Sequence, residues 1–399
     1  MYTHYNWSYE VSSVSMRVRH HLLFRPMKIL ICIPCLMTGG TEIQTLNLVR
    51  ALVQGGHEVL TACYFEHAGD MVSRFRQAGS RVELLSPDGS RSGGWRGMVA
   101  LFGGLRRVVR AFRPNVAHVQ YMAPGAQPIL MLRLLGVRNI IATTHTGADI
   151  YPSLRLVHFV ERHLVRAFTC ITELAERSYF GTSCLYDERY VLKRHNHFTI
   201  YNAFPWPLPP KSTRNAPREP FTIGVVSRLE SIKGMDLVLP AFAAVHKVHP
   251  ETRLHVVGDG TLRSTMQQQA HDLGCADAVV WMGRQPQDAL PALYGQMDIV
   301  WMPSRSEGFG LTAIEAMSCG CVVVAARTGG LPEVVRDGEV GLLHDPESTS
   351  SLTEKTVSLI ENPVRLIEMS HRAVRHVERF SFDRYARLFN NLYQKIGKV

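Results

Sequence analysis

Between Lys28 and Ala326 the chain alternates short apolar runs with longer amphipathic stretches, and it does so in two separate series. KILICIP, EVLTACY, VELLS, VAHVQ and NIIATTH form the first series, and FTIGVVSRL, RLHVVGDG, AVVWMG, DIVWMPS and CVVVAA the second. In most of these runs apolar residues are consecutive rather than alternating, as strands covered on both faces require. The text between them has helical spacing. Ile43 to Val53 turns Ile43, Leu46, Leu48 and Leu52 toward one side, LRRVVRAFR repeats the pattern, and further helices are expected over Asp236 to His249, Thr261 to Leu273, near Leu290 and over Thr312 to Cys319. Strand and helix in strict alternation specify an α/β chain of doubly wound parallel sheets.

The two series are divided by PWPLPPKSTRNAPREP, residues 205–220, whose six prolines rule out a helix or a central strand. This is read as a linker between a domain over 27–204 and a second over 221–380. A length of 399 residues suits two such domains. Open α/β sheets bind ligands at the carboxyl ends of their strands, so two such edges facing across a hinge would form a cleft. The last segment, 381–399, reads as one amphipathic helix with Phe382, Tyr385, Leu388, Leu392 and Ile396 near one face, crossing back to the first domain. Residues 1–26 read as an extension, basic at Arg17, Arg19 and Arg25. Either they are an added arm or the chain proper begins at Met27, since Leu22, Leu23 and Phe24 are too few for a secretory signal.

With 46% hydrophobic and 20% charged residues, disordered and fibrous chains are excluded. The formal charge of +10 is unevenly placed: residues 1–210 hold 23 Lys and Arg against 13 Asp and Glu, and the remainder hold 21 of each. The first half therefore suits an anionic partner, and absent any nucleic-acid motif an anionic membrane surface is the expectation. The eight cysteines lack the spacing of a disulfide scaffold, and Cys32-x-x-Cys35 reads as buried thiols rather than a redox pair. Arg133 interrupts the best apolar candidate for a membrane span, Ile129 to Val137, so a cytoplasmic location, peripheral at the inner face of the membrane, is expected.

The densest chemistry lies in SRSEGFGLTAIEAMSCG, residues 304–320. Glu307 precedes the Gly308-Phe309-Gly310-Leu311 turn, whose backbone N–H groups at a helix start can hold phosphate oxygens. Glu315 sits in a helix of otherwise apolar and small residues, where an unpaired carboxylate is costly to bury, and it suits sugar hydroxyls. A second block, GG-x-P-E-x-V-x-x-G-x-x-G-x-L, runs from Gly329 to Leu343. Together, with Glu-x7-Glu over Glu307 and Glu315, they closely resemble the donor-binding signature of the retaining, family 4 glycosyltransferases of the GT-B fold, a resemblance that extends over residues 27–399.

That resemblance implies two Rossmann-like domains facing across a cleft. It implies that Glu307 contacts the transferred sugar, the backbone after it the diphosphate, and Glu315 the ribose. Ser227-Arg228-Leu229-Glu230-Ser231-Ile232-Lys233-Gly234 is similar to the family's basic pair, so Arg228 and Lys233 are expected to neutralise the diphosphate without a metal. Gly258 lies in the family's Gly-rich turn near the nucleotide, and Gly283 and Arg284 in the region facing the base. Gly39 and Gly40, in Gly39-Gly40-Thr41-Glu42, border phosphates and acceptor; no G-x-G-x-x-G occurs there, which counts against a dehydrogenase. His145 matches the histidine beside the reacting sugar, followed here by Thr146-Gly147-Ala148-Asp149 rather than by the family's usual Asp or Gly. His118 is expected to be structural, and Asn202, followed by Ala203 rather than glycine, a hinge residue.

The implied reaction is transfer, with retention, from a UDP-sugar or GDP-sugar to a hydroxyl of a glycan, lipid-linked or small-molecule acceptor in surface polysaccharide or glycoconjugate synthesis, with no cofactor. Arg106, Arg107, Arg110 and Arg113 on one helix, and Arg155, Arg162 and Arg166 on another, suit anionic headgroups; alternatively they are the wet face of a helix packed through Leu105, Val108, Val109 and Phe112. The competing functional readings are a non-catalytic sugar or nucleotide-binding protein on the same fold, and a sugar-phosphate synthase or phosphorylase.

Overall fold

A computed structural model describes residues 25–397 apart from 92, 121–125, 148–152, 193–195 and 205–214. The expected extension up to residue 24, most of the proline-rich linker, and Ala148 and Asp149 lie outside the described residues. The first domain runs β1 (Lys28–Ile33), α1 (Gly40–Gln54), β2 (Glu58–Cys63), α2 (Gly69–Gln77), β3 (Arg81–Leu84), α3 (Gly94–Phe112), β4 (Val116–Gln120), α4 (Ala126–Leu134), β5 (Ile140–Thr144), α5 (Leu154–His163), β6 (Ala167–Cys170), α6 (Glu173–Phe180) and β7 (His197–Thr199). The second continues with β8 (Thr222–Val226), α7 (Val238–Val248), β9 (Arg253–Val257), α8 (Arg263–Asp272), β10 (Val279–Gly283), α9 (Leu290–Tyr294), β11 (Ile299–Met302), α10 (Leu311–Ser318), β12 (Val322–Ala326), α11 (Leu331–Val334), β13 (Gly341–His344), α12 (Thr349–Ile360), α13 (Pro363–His376) and α14 (Phe382–Gly397).

The first sheet has the order β3-β2-β1-β4-β5-β6-β7 and the second β10-β9-β8-β11-β12-β13, all paired parallel. In both, the first strand of the domain is internal and the order reverses beside it, the switch point at which such sheets bind ligands. Each sheet is covered on both faces. Ile29, Ile31 and Ile33 of β1 face a core with α1, α2 and α14, whereas Leu30 and Cys32 face a core with α3, α4, α5 and α6. The continuous apolar runs follow from that double burial.

The structure departs from the expected helix over Asp236 to His249. Two 3₁₀ turns, Ser231–Lys233 and Met235–Leu237, precede α7, because Gly234 between them has φ +67°, which an α-helix cannot continue through. Strands β6, β7 and β13, of four, three and four residues, were not legible as apolar runs.

As expected, α14 crosses back to the first domain. Leu392, Tyr393 and Ile396 join the core built by Leu46, Val49 and Leu52 of α1. Asn390 donates through Nδ2 to the Ala51 carbonyl at 3.0 Å, a second donor beside the Gly55 N–H at the last turn of α1. The Tyr393 hydroxyl lies 2.6 Å from Nδ1 of His118, whose Nε2 lies 2.5 Å from Thr143 Oγ1. Burial, and the neighbouring His145, push the His118 imidazole down to about 3, so it stays neutral and knits β4, β5 and α14 together. Replacing Asn390 by Ala removes this link between α14 and α1, although the Gly55 N–H still donates to the Ala51 carbonyl, and is expected to cost about 1 kcal/mol, measured as a lower denaturation midpoint; an unchanged midpoint would remove α14 as a clamp.

Candidate active site

The carboxyl ends of the two sheets face one another across a cleft of about 700 Å³. From the first domain it is lined by the loop after β1, with Gly39, Gly40 and Glu42, by His145 after β5, Ile171 after β6 and Asn202 after β7. The second domain contributes Ser227 and Arg228 after β8, Lys233, and the loop after β11 with Glu307, Gly308, Phe309, Gly310, Leu311 and Glu315.

Lys233 and Glu307, 74 positions apart, form an ion pair with Nζ 2.7 Å from Oε2. Both are largely covered, with side-chain exposures of 20% and 17%. Their meeting is built from backbone outward. Gly234 lies so close to the loop after β11 that a β-carbon there would fall 2.0 Å from the Pro303 carbonyl oxygen. Arg305 binds Asp236 with both guanidinium arms, at 2.6 and 2.8 Å, and its backbone N–H donates to the Ile232 carbonyl. From the other side Gly329, at φ +51°, presses on the Glu307 carbonyl, which accepts from the Gly330 N–H at 3.0 Å. The double glycine of the second sequence block therefore supports the Glu307 loop.

Glu315 is buried on α10, and the Tyr294 hydroxyl donates to its Oε2 at 3.0 Å. Burial pushes its carboxyl up to about 8, only partly countered by that hydrogen bond. His145 is buried as well, with Nε2 2.9 Å from Gln120 Oε1, and burial pushes its imidazole down to about 4. It is neutral at ordinary pH. Its carbonyl oxygen lies against Gly308, where a β-carbon would approach to 2.9 Å, so the two loops meet backbone to backbone. Glu42 is buried and accepts from Cys35 Sγ at 3.1 Å; burial and that carboxylate push the thiol up to about 12, a protonated group without thiolate reactivity.

Of the residues expected from sequence, His145, Glu307, Arg228, Lys233, Gly39, Gly40, Gly308, Phe309, Gly310, Leu311 and Glu315 converge on the cleft. Gly258, Gly283 and Arg284 are not among its lining residues. Gly258 instead packs under Ser227, its N–H donating to the Gly283 carbonyl at 2.8 Å, so that pair supports the turn carrying Arg228, and Arg284 is exposed. Asn202 is more than a hinge residue, since it lines the cleft. Sequence reasoning missed Thr38, Gln287, Leu290 and Tyr294; no charge pattern or motif singles them out, and only the folded loops bring them in. Among the described residues no three His, Cys, Asp or Glu side chains are gathered as a metal site.

Residues 211–379 match the family described as glycosyl transferases group 1, and residues 39–177 match the glycosyl transferase 4-like domain. The chain belongs to the family 4-like glycosyltransferases of the GT-B fold. Among its relatives, a D-inositol 3-phosphate glycosyltransferase of Corynebacterium jeikeium is 35% identical over 184 residues, 44% of this chain and 43% of that protein. A GDP-mannose-dependent alpha-(1-6)-phosphatidylinositol monomannoside mannosyltransferase of Mycolicibacterium smegmatis is 30% identical over 260 residues, 57% of this chain and 64% of the relative. The aligned region thus spans less than half of the first relative and under two thirds of the second. Among solved structures, Anabaena HepE in complex with UDP superimposes with a TM-score of 0.75 at 19% identity, covering 92% of this chain and 99% of that one. A sucrose-phosphate synthase of Thermosynechococcus elongatus gives 0.72 at 19% identity, covering 92% and 98%. At such identities the likeness is one of fold.

In this glycosyltransferase-family chain the raised Glu315 carboxyl has a consequence for stability. The folded state holds that proton more tightly than the unfolded chain does. The stabilisation is therefore complete below the ordinary value of 4.5 and is lost as pH rises through about 8. Glu315→Gln is expected to flatten the fall in thermal stability between about pH 5 and about pH 8, read by calorimetry on the ligand-free protein; an unchanged slope would contradict the assignment.

Proposed function

We propose that the chain is a retaining glycosyltransferase that moves a sugar from a nucleoside diphosphate sugar to an acceptor hydroxyl. One observation carries this reading: Glu307, Lys233, Arg228 and Glu315 of the second domain and His145 of the first converge on one cleft between the two carboxyl edges. In this reading Glu315 accepts from the ribose hydroxyls, with Tyr294 holding its other oxygen. Arg228, Lys233 and the backbone N–H groups at the start of α10 face the diphosphate, supplying fixed positive charge without a metal ion. Glu307 meets the transferred sugar. The acceptor oxygen bonds to the anomeric carbon on the face from which the phosphate leaves. The C–O bond to phosphate breaks with its electron pair on the leaving diphosphate, and a phosphate oxygen takes the acceptor proton. His145, neutral through burial, donates a hydrogen bond or accepts one but does not carry positive charge.

The nucleotide is uridine or guanosine diphosphate: one solved structure of the same fold holds UDP, and one relative is named for GDP-mannose. Nucleotide release from UDP-, GDP- and ADP-sugars, with and without acceptors, tests the reading. Glu307→Ala, Arg228→Ala and Lys233→Ala are each expected to lower kcat about 100- to 1,000-fold while leaving the fold intact. Binding of a nucleotide sugar without release in any combination would instead favour a non-catalytic binding protein.

The acceptor is proposed to be anionic or lipid-linked and met at a membrane. The names of the relatives, an inositol phosphate and a phosphatidylinositol mannoside transferase, agree with such an acceptor. Leu105, Val108, Val109 and Phe112 pack α3 onto the sheet, while Arg106, Arg107, Arg110, Arg113, Arg155, Arg162 and Arg166 remain exposed. Large apolar side chains stand among them at Trp95, Val99 and Phe159, an arrangement suited to an interfacial membrane contact. Among the described residues no helix is long and apolar enough to cross a membrane. Flotation with anionic vesicles is expected at low salt and to weaken at high salt; no flotation at low salt refutes membrane docking.

A further inference from the structure

The second domain's Glu333, in the P-E of the second sequence block, does not line the cleft, yet it makes a contact across the joint between the domains. Its Oε2 accepts from the backbone N–H of Glu173 at 2.8 Å and its Oε1 from that of Leu174 at 2.5 Å. These are the first two residues of α6 in the first domain. The first N–H groups of a helix have no partner within it. Here Thr172 Oγ1 takes the Ala175 N–H at 3.1 Å and the Thr172 carbonyl takes that of Glu176. The two remaining donors are satisfied from the opposite domain, by a carboxylate placed where the helix dipole favours negative charge.

The chain on either side of this contact runs directly to reacting groups. Three residues before Glu333, Gly330 donates its N–H to the Glu307 carbonyl, and a β-carbon on it would fall 2.9 Å from Thr172 Cγ2. Two residues before Glu173 stands Ile171, a cleft-lining residue beside Gly308, which in turn abuts the His145 carbonyl. Between Gly330 and Glu333 lie only two residues at the start of α11, Leu331, which is buried, and Pro332. A displacement of α6 relative to α11 is thus transmitted to the spacing between His145 and Glu307 with few intervening bonds.

Resting on the reading of the cleft as a glycosyltransferase site, we propose that Glu333 is a positioning residue: by closing the N-terminus of α6 from the opposite domain, it sets the spacing of the Glu307 loop against His145. It acts on turnover more than on nucleotide affinity, since the side chains proposed to hold the nucleotide, Arg228, Lys233 and Glu315, all belong to the second domain.

The test uses the full chain and three measurements: the affinity for UDP and GDP, kcat from nucleotide release, and backbone hydrogen exchange. Glu333→Ala is expected to lower kcat about 10- to 100-fold, as sub-ångström to ångström misplacement does, with nucleotide affinity changed less than about threefold. Glu333→Gln, whose carboxamide oxygen still accepts, is expected to recover part of that loss. Glu173→Pro removes one donated N–H at a helix position that tolerates proline, and Thr172 before it is already extended, with φ −142° and ψ 152°. It is expected to mimic Glu333→Ala, and the double variant to be no worse than the poorer single one. Exchange in Glu333→Ala is expected to rise both at residues 172–176 and at residues 306–310.

Unchanged kcat in Glu333→Ala, a parallel loss of nucleotide affinity, or fully additive losses in the double variant would overturn the proposal. If the unmodified chain releases nucleotide from no sugar donor, the functional reading fails by itself. The exchange experiment then decides the coupling alone, and increased exchange confined to residues 172–176 overturns it.

Discussion

The backbone contact between the His145 carbonyl and Gly308 is the constraint on which the rest of the site depends. Neither domain alone supplies the groups that line the cleft, and a side chain at position 308 would force the two loops apart. The joint around this contact is correspondingly dense. Phe309 packs between Tyr201 of the first domain and Phe380 at the end of the second, with ring centroids 5.8 and 5.6 Å away. Ile171 and Phe204 are buried within the second domain's core cluster. The cleft therefore has one closed, apolar side that fixes the angle between the sheets. On another side Arg74 of α2 donates to Gln287 at 3.1 Å, a polar and partly solvated contact of the kind that yields more readily when domains move.

Within the second domain, the Lys233–Glu307 pair is held in place by the backbone around it and by a second ion pair. Its geometry comes from Gly234 against Pro303, Gly329 against Glu307 and the Arg305–Asp236 clamp. That arrangement suits a site that must stabilise charge appearing on a departing phosphate, because oriented groups need no rearrangement during the reaction. Burial tunes the remaining groups in opposite senses. It keeps the His145 imidazole neutral and makes the Glu315 carboxyl hold its proton until a polar partner replaces the lost water.

The repeated strand pattern, the division of the chain and the crossover helix were legible in the sequence because burial on both faces leaves an unbroken apolar run and a one-sided helix leaves a periodic one. The carboxylates of the cleft stood out in the sequence because an acidic residue in an apolar, Gly-rich stretch is unusual, and the basic pair stood out only through its resemblance to the family's motif. Strands β6, β7 and β13 were not legible: AFTC and HFT mix polar with apolar residues over four and three positions, and GLLH offers only two large apolar side chains. Tyr294 and Gln287 were equally hidden: a tyrosine that donates to a buried carboxylate reads in sequence as one more aromatic core residue.

The sequence by itself determined two doubly wound parallel-sheet domains, their order, and which residue types could meet a diphosphate and a sugar. These are consequences of local pattern and of the residues' own chemistry. Only the tertiary structure decided which glycines face the cleft and which carry backbone. Gly308 and Gly310 border the cleft, whereas Gly258 and Gly283 brace the turn behind Arg228. It also decided that Glu333 closes a helix of the opposite domain. Such roles depend on distances between segments that lie tens to more than a hundred residues apart, and no spacing along the chain encodes them.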